Sequence, residues 1–162
     1  MPQYLYPLLI SLLFFACSEE RQTLNRIEGV FETTEIIVTA PGTDSVLFTA
    51  SPTFQFAACD LRDNRDGQRC PVTIIDTDGT TYDYRYGIET ARNTPDYINL
   101  RPMDGTTWEI DTDLNRAIHN RLVFELDEDE LRMYSDDVTT TSFVDTIGGY
   151  RDYDIVINAS KR

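Results

Sequence analysis

An all-β domain is what this sequence predicts, an antiparallel meander that closes into a barrel or packs as a sandwich. Three observations carry the prediction. Short runs rich in β-branched and aromatic residues alternate with polar ones, as in strands with one buried face. Turn signals built on Gly, Pro, Asp and Asn recur about every eight to twelve residues. No convincing amphipathic helix interrupts them.

The chain opens differently. Leu8–Cys17 (LLISLLFFAC) is apolar apart from Ser11 and ends on Ala16 and a cysteine. It is too short for a spanning helix, which needs about 20 apolar residues. Its length suits the apolar core of a secretory signal. The ending Leu13-Phe14-Phe15-Ala16-Cys17 resembles the lipobox of bacterial lipoproteins. That resemblance implies a signal peptide over residues 1–16, lipidation (palmitate included) at Cys17, and a place in the bacterial cell envelope, at the outer membrane. The membrane partner would be held through the lipid on Cys17, because two or more acyl chains anchor firmly at about 0.8 kcal/mol per buried methylene. Residues 17–26 are polar and lack apolar periodicity, so they read as a tether, and the folded domain is expected over residues 27–162.

The strands follow in order. Gly29–Ala40 is a long first strand, broken by Pro41-Gly42; Ser45–Ala50 and Thr53–Ala58 are shorter, parted by Ser51-Pro52. Cys59 and Cys70 bracket a charged loop with turn chemistry at Asp66-Gly67. With Cys17 carrying lipid, these two remain as a pair, and an oxidising compartment closes them as a disulfide. A loop of this size gains about 3 kcal/mol on the chain-entropy model. Asp60, Asp63, Asn64 and Asp66 lack EF-hand spacing, since Arg62 takes the first slot and no Glu closes the set. No metal is therefore expected.

Val72–Asp76 and Thr81–Ile88 flank a hairpin signal at Thr77-Asp78-Gly79-Thr80. Tyr82, Tyr84, Tyr86 and Ile88 share one face, and Asp83 and Arg85 the other. Tyr97–Arg101 is expected to pair with Thr106–Thr112, which carries Trp108 and Ile110. Leu114–Asn120 suits a short helical turn. Arg121–Leu126 and Leu131–Ser135 flank an exposed acidic turn at Asp127–Glu130, and Val138–Ile147 and Tyr153–Ala159 complete roughly nine or ten strands.

This layout resembles the lipocalin-like domains of bacterial cell-envelope lipoproteins. The matching residues are Leu24–Phe31, with Phe31 in the tryptophan position of a Gly-x-Trp motif, DGTTYDY at Asp78–Tyr84, WEI at Trp108–Ile110, and the hairpin Leu122–Tyr134. The resemblance implies a lipocalin-like β-barrel and non-catalytic binding of a small apolar or amphipathic ligand inside it. A fibronectin- or immunoglobulin-like β-sandwich is the alternative fold. An envelope module that binds protein or glycan by its surface is the alternative function.

Composition narrows the partners. The formal net charge is −14, with 28 acids against 14 basic residues. Nucleic-acid binding draws on phosphate neutralisation, so that partner class is excluded. The only histidine, His119, reads as an exposed loop residue; no nucleophile elbow accompanies it, and no catalytic set or cofactor is expected. Glu109 and Asp111 alternate with Trp108 and Ile110, the ordinary solvent-facing arrangement. The candidate ligand-binding residues are Tyr82, Tyr84, Tyr86, Trp108 and Phe124, whose aromatic faces either grip an apolar ligand or fill the core. Arg132 and Tyr134, spaced like a carboxylate-holding pair, are placed by alternation opposite Leu131 and Met133, toward solvent.

Overall fold

The computed structural model describes residues 19–40, 42, 45–90, 94–103, 113–136 and 153–162. The first strand, β1 (Gly29–Thr39), serves both ends of the sheet. Along one edge its first half pairs with β3 (Thr53–Phe56), from Gly29↔Phe56 to Glu32↔Thr53. Its second half pairs with β2 (Val46–Ala50), from Ile36↔Ala50 onward. Along the other edge it meets the last strand, β9 (Asp154–Lys161), over nearly its whole length. Between these lie β4 (Cys70–Ile75), β5 (Thr81–Glu89), β6 (Tyr97–Pro102), β7 (Arg121–Asp127) and β8 (Glu130–Tyr134), each antiparallel to its neighbours. Eight strands close on themselves, and β2 is an additional ninth. The expected barrel is the fold; a sandwich would leave the β1–β9 edge unpaired.

Closure needs bends, and the sequence supplies one at Ser51-Pro52. Proline cannot donate to a ladder, so β2 and β3 part there, and the Pro52 carbonyl accepts from both the Thr33 amide and hydroxyl. The β1–β9 register slips at the same height, between Thr33 and Glu35. Such irregularities increase local twist and let a long strand wrap. The hairpin after β4 forms as expected, with Gly79 at φ 87° and the Asp78 carboxylate accepting from the Thr80 amide at 2.8 Å.

Among the described residues three helices accompany the barrel: α1 (residues 19–27), α2 (Leu61–Arg65) and α3 (Asp113–Ile118). The sequence foretold only α3. Residues 19–26 are not a free tether: they belong to α1, and Leu24 and Ile27 insert into the core at one end of the barrel. Two apolar residues a helical turn apart carry too little periodicity to mark a helix. The Cys59–Cys70 loop is also more ordered than expected, because Asp60 caps α2 by accepting from the Asp63 amide at 2.8 Å. That same bond holds the Asp60 carboxyl below its usual pKa. The two cysteine sulfurs lie within bonding distance, with Cα atoms 5.3 Å apart.

The α1 end is fastened by long side chains. Lys161 donates to the Arg26 carbonyl at 2.9 Å, and Arg26 donates to the Leu126 carbonyl at 2.6 Å. The Lys161 stem crosses Gly29, where an added Cβ would lie 2.6 Å from Cε, and its ammonium sits 5.5 Å from the Phe31 ring centre. Glu20 of α1 accepts from Asn64 and Arg65 of α2, tying the two helices together.

Of the expected strands, Thr106–Thr112 and Val138–Ile147 lie outside the described residues. Among those described, β6 pairs with β5 and β7.

Candidate functional site

Alternation sends one face of every strand inward. Val72, Tyr84 and Ile74 line the wall with Ile36, Val38, Phe54, Tyr86, Ile98, Leu122, Met133 and Ile157. Phe31, Ile36, Val38, Phe54, Ile74, Tyr86, Ile98, Leu122, Met133 and Ile157 are each 0% exposed, so no water-sized space lies against them. Phe56 ties the α1 end of this interior together. Its ring centre is 5.8 Å from Phe31 and 5.1 Å from Tyr86, both edge-on, and it stacks on Phe54 at 5.9 Å.

The expected ligand-binding residues fall as follows. Tyr84 and Tyr86 face inward and are buried, as is Phe124 at 4% exposure; Tyr82 is half-buried against the same cluster. The hydroxyls of Tyr84 and Tyr86 already have protein partners. Tyr84 donates to Asn115 Oδ1 at 3.0 Å and Tyr86 to the Ala57 carbonyl at 3.2 Å. Burial, with Glu28 adding to it, pushes the Tyr86 hydroxyl far above the usual tyrosine pKa. Trp108, Glu109 and Asp111 lie outside the described residues, as does Cys17. Asn115 belongs to α3, which sits where the β6–β7 pairing ends at Asn99↔Arg121, and whose Leu114, Ala117 and Ile118 join the core. A helix thus closes this end of the barrel.

The outer wall of β5, β6 and β7 is built otherwise, and little in the sequence announces it. Glu89 stands at its centre. Its Oε1 accepts from Asn99 at 2.7 Å and Gln68 at 3.2 Å, and its Oε2 from Arg121 at 2.8 and 3.3 Å. The Arg121 guanidinium also lies 3.7 Å from the Tyr97 ring centre, and the Tyr97 hydroxyl donates to Asp136 at 3.1 Å. Gln68 reaches this wall by lying across Gly87, where an added Cβ would be 2.2 Å from its Cγ.

Beyond that network two arginines come together, with Asp83 next along the same face of β5. Arg85 and Arg101 are direct cross-strand partners, both half-buried. The Leu100 amide donates to the Asn120 carbonyl, which brings His119 level with Arg101. His119 is not an exposed loop residue; it is 5% exposed, packed into the turn where α3 meets β7. Burial, and then the charge of Arg101, lower its pKa to about 4. Among the described residues, three buried side-chain polar atoms have no partner: Gln68 Oε1, Arg85 Nε and His119 Nδ1. All three belong to this wall or its margin.

Elsewhere the polar candidates have structural roles. Asn64 bonds Glu20 and both backbone groups of Ile88; Arg132 points outward and pairs with Glu125. Among the described residues no three His, Cys, Asp or Glu side chains group as metal ligands, and no helix is long and apolar enough to cross a membrane.

The class defined by this geometry is a closed, eight-stranded antiparallel barrel with an extra strand, its described inward side chains buried and one outer wall polar. No family model, curated protein or solved structure matches the chain.

Proposed function

We propose that this chain is a lipid-anchored protein of the bacterial cell envelope whose barrel acts without catalysis, by its outer wall. The anchor rests on the lipobox-like Leu13–Cys17, and the lipocalin-like layout is in keeping with an envelope lipoprotein. The observation that carries the surface reading is the filled interior: ten inward side chains at 0% exposure, with the tyrosine hydroxyls bonded to the protein itself. Small-ligand barrels instead keep a cavity with a few uncommitted polar groups. A non-catalytic role is supported by His119, whose low pKa makes it a poor proton acceptor at neutral pH.

A second reading, binding of a small apolar or amphipathic molecule inside the barrel, is favoured by one feature. The Tyr84–Asn115 bond places a polar pair beneath α3, and that short helix is the element a ligand would displace. Native mass spectrometry of the full chain, extracted from its envelope in mild detergent, separates the readings. A protein free of small molecules is expected. A stoichiometric apolar adduct, lost when Tyr84→Phe loosens α3, would transfer the function to the interior. The anchor is tested separately: radiolabelled fatty acid should enter the wild-type chain and not Cys17→Ala.

A further inference from the structure

The outer wall ends, across β5 and β6, in a pair of arginines that points to the chemistry of what it binds. In a chain of charge −14, two arginines face each other across β5 and β6. Directly opposed residues on one sheet face stand about 4.5–5.5 Å apart at Cβ, and like charges in that position destabilise a sheet. Of the two acids on this face of β5, Glu89 already accepts from Arg121, Asn99 and Gln68, and Asp83 accepts from the Thr73 hydroxyl at 3.4 Å. Arg101 makes further contacts of its own, but Arg85 Nε is buried with no acceptor.

The donors and acceptors around Arg85 have a defined sense. Gln68 donates through Nε2 to Glu89, which fixes its amide and leaves Oε1 as a buried acceptor without a donor. Gln68 lies across Gly87, the next residue on the Arg85 face of β5, so this acceptor belongs to the same patch. His119 flanks Arg101 and is more than nine-tenths buried, with Nδ1 unpartnered. An arginine pair suits an oxyanion, since guanidinium N–H groups bond carboxylate and phosphate in a charge-assisted way. The orphan acceptor requires, in addition, a hydrogen-bond donor on the same ligand.

We infer that Arg85, Arg101, Gln68 and His119 form a binding site on the outer barrel wall for a small oxyanion that also carries a hydroxyl, such as a hydroxycarboxylate or hydrogen phosphate. The inference deepens the outer-wall reading and rests on it only for biological role, because binding is measurable in the isolated protein.

The single histidine provides the readout. In the full chain held in neutral detergent micelles, the imidazole proton signals of His119 are followed by NMR during separate additions of glycolate, acetate and inorganic phosphate. Saturable shifts are expected with glycolate and phosphate, and a weaker response to acetate, which lacks the hydroxyl. Arg85→Gln should weaken binding by about tenfold or more, with Arg85→Lys intermediate, because lysine keeps the charge and loses the fork. Circular dichroism and thermal melting confirm that both variants are folded. Should both unfold, Gln68→Ala carries the test, with loss of the glycolate preference over acetate expected. Micelles doped with an anionic phospholipid distinguish a lipid phosphate, seen as a shift without added solute, from a free anion. No saturable shift with any of these, or equal binding in wild type and Arg85→Gln, overturns the site. A clean absence of anion binding together with normal fatty-acid labelling would leave the anchor standing and remove this site alone.

Discussion

The two faces of β5 differ in how completely their polar groups are used. On the inner face, Tyr84, Tyr86 and Ile88 are buried, and both hydroxyls end on protein acceptors. On the outer face, Arg85 and Glu89 flank a glycine that carries Gln68; one end of that row is fully bonded, and the other holds a like-charge pair and unpartnered buried atoms. Nothing in β propensity requires the second arrangement, which costs stability. Features that a fold would be steadier without are where function is to be sought. The inner wall builds the barrel, and the outer wall has capacity to spare.

The largest expected effect tests the inner wall. Phe31→Ala removes a ring in contact with Phe56 and beneath Lys161, at a position fully closed to water. A loss of about 3–5 kcal/mol is expected from urea denaturation. A loss below about 1 kcal/mol would mean that the interior yields easily, as a ligand cavity does. Next in size, Cys59→Ser with Cys70→Ser opens a loop of sequence separation 11 and is expected to cost about 3 kcal/mol. Reduction of the wild-type chain should lower stability similarly, while two titratable thiols in oxidised material would refute the bridge.

The same contrast explains what could be read from the sequence. Inner-wall residues repeat with period two, so Tyr84, Tyr86, Ile88, Leu122, Phe124, Leu131 and Met133 declare their face locally. The closing hairpins announce themselves by Asp-Gly and acidic turns. Glu89, Asn99 and Arg121 come from three strands, and Gln68 from a loop residue at positive φ; their meeting depends on register, which alternation does not set. The burial of His119 is hidden in the sequence for a related reason. Asn120 and Arg121 follow it directly, yet the fold buries it by bringing α3, with Ala117 and Ile118, into the barrel end. Residues 19–26 read as a tether because a two-turn helix needs only a couple of apolar contacts to dock, and these are Leu24 and Ile27.

A third prediction concerns that margin between the walls. His119 has its pKa lowered from 6.5 to about 4 in the folded chain, so the unfolded chain binds the proton more readily. Stability is then fully present above about pH 6.5 and falls as the pH drops toward 4. From about pH 7 to pH 5 the loss due to this residue should be on the order of 2 kcal/mol. His119→Gln should show a correspondingly flatter profile in denaturant titrations across that range. Parallel profiles would show that His119 is solvated in solution and that this margin is not closed.

The smallest effect is expected where the outer wall is best bonded. Arg121 pairs with Glu89 and covers Tyr97, but the two side chains are 32% and 43% exposed. Ion pairs in such positions contribute about 0.2–1 kcal/mol, since solvent competes for both charges. Arg121→Lys keeps the charge while losing the two-nitrogen fork and the stacking on Tyr97. It should therefore be only slightly milder than Arg121→Ala, both losing no more than about 1 kcal/mol in urea. A double-mutant cycle with Glu89→Gln isolates the pair from the loss of packing. Coupling of several kcal/mol would mean that the wall is sealed from water and holds the barrel together, which would end the contrast between the two faces. Weak coupling leaves Glu89, Asn99 and Arg121 as an adjustable polar frame beside Arg85, stiff enough to hold Gln68 in place and too weak to dictate the fold.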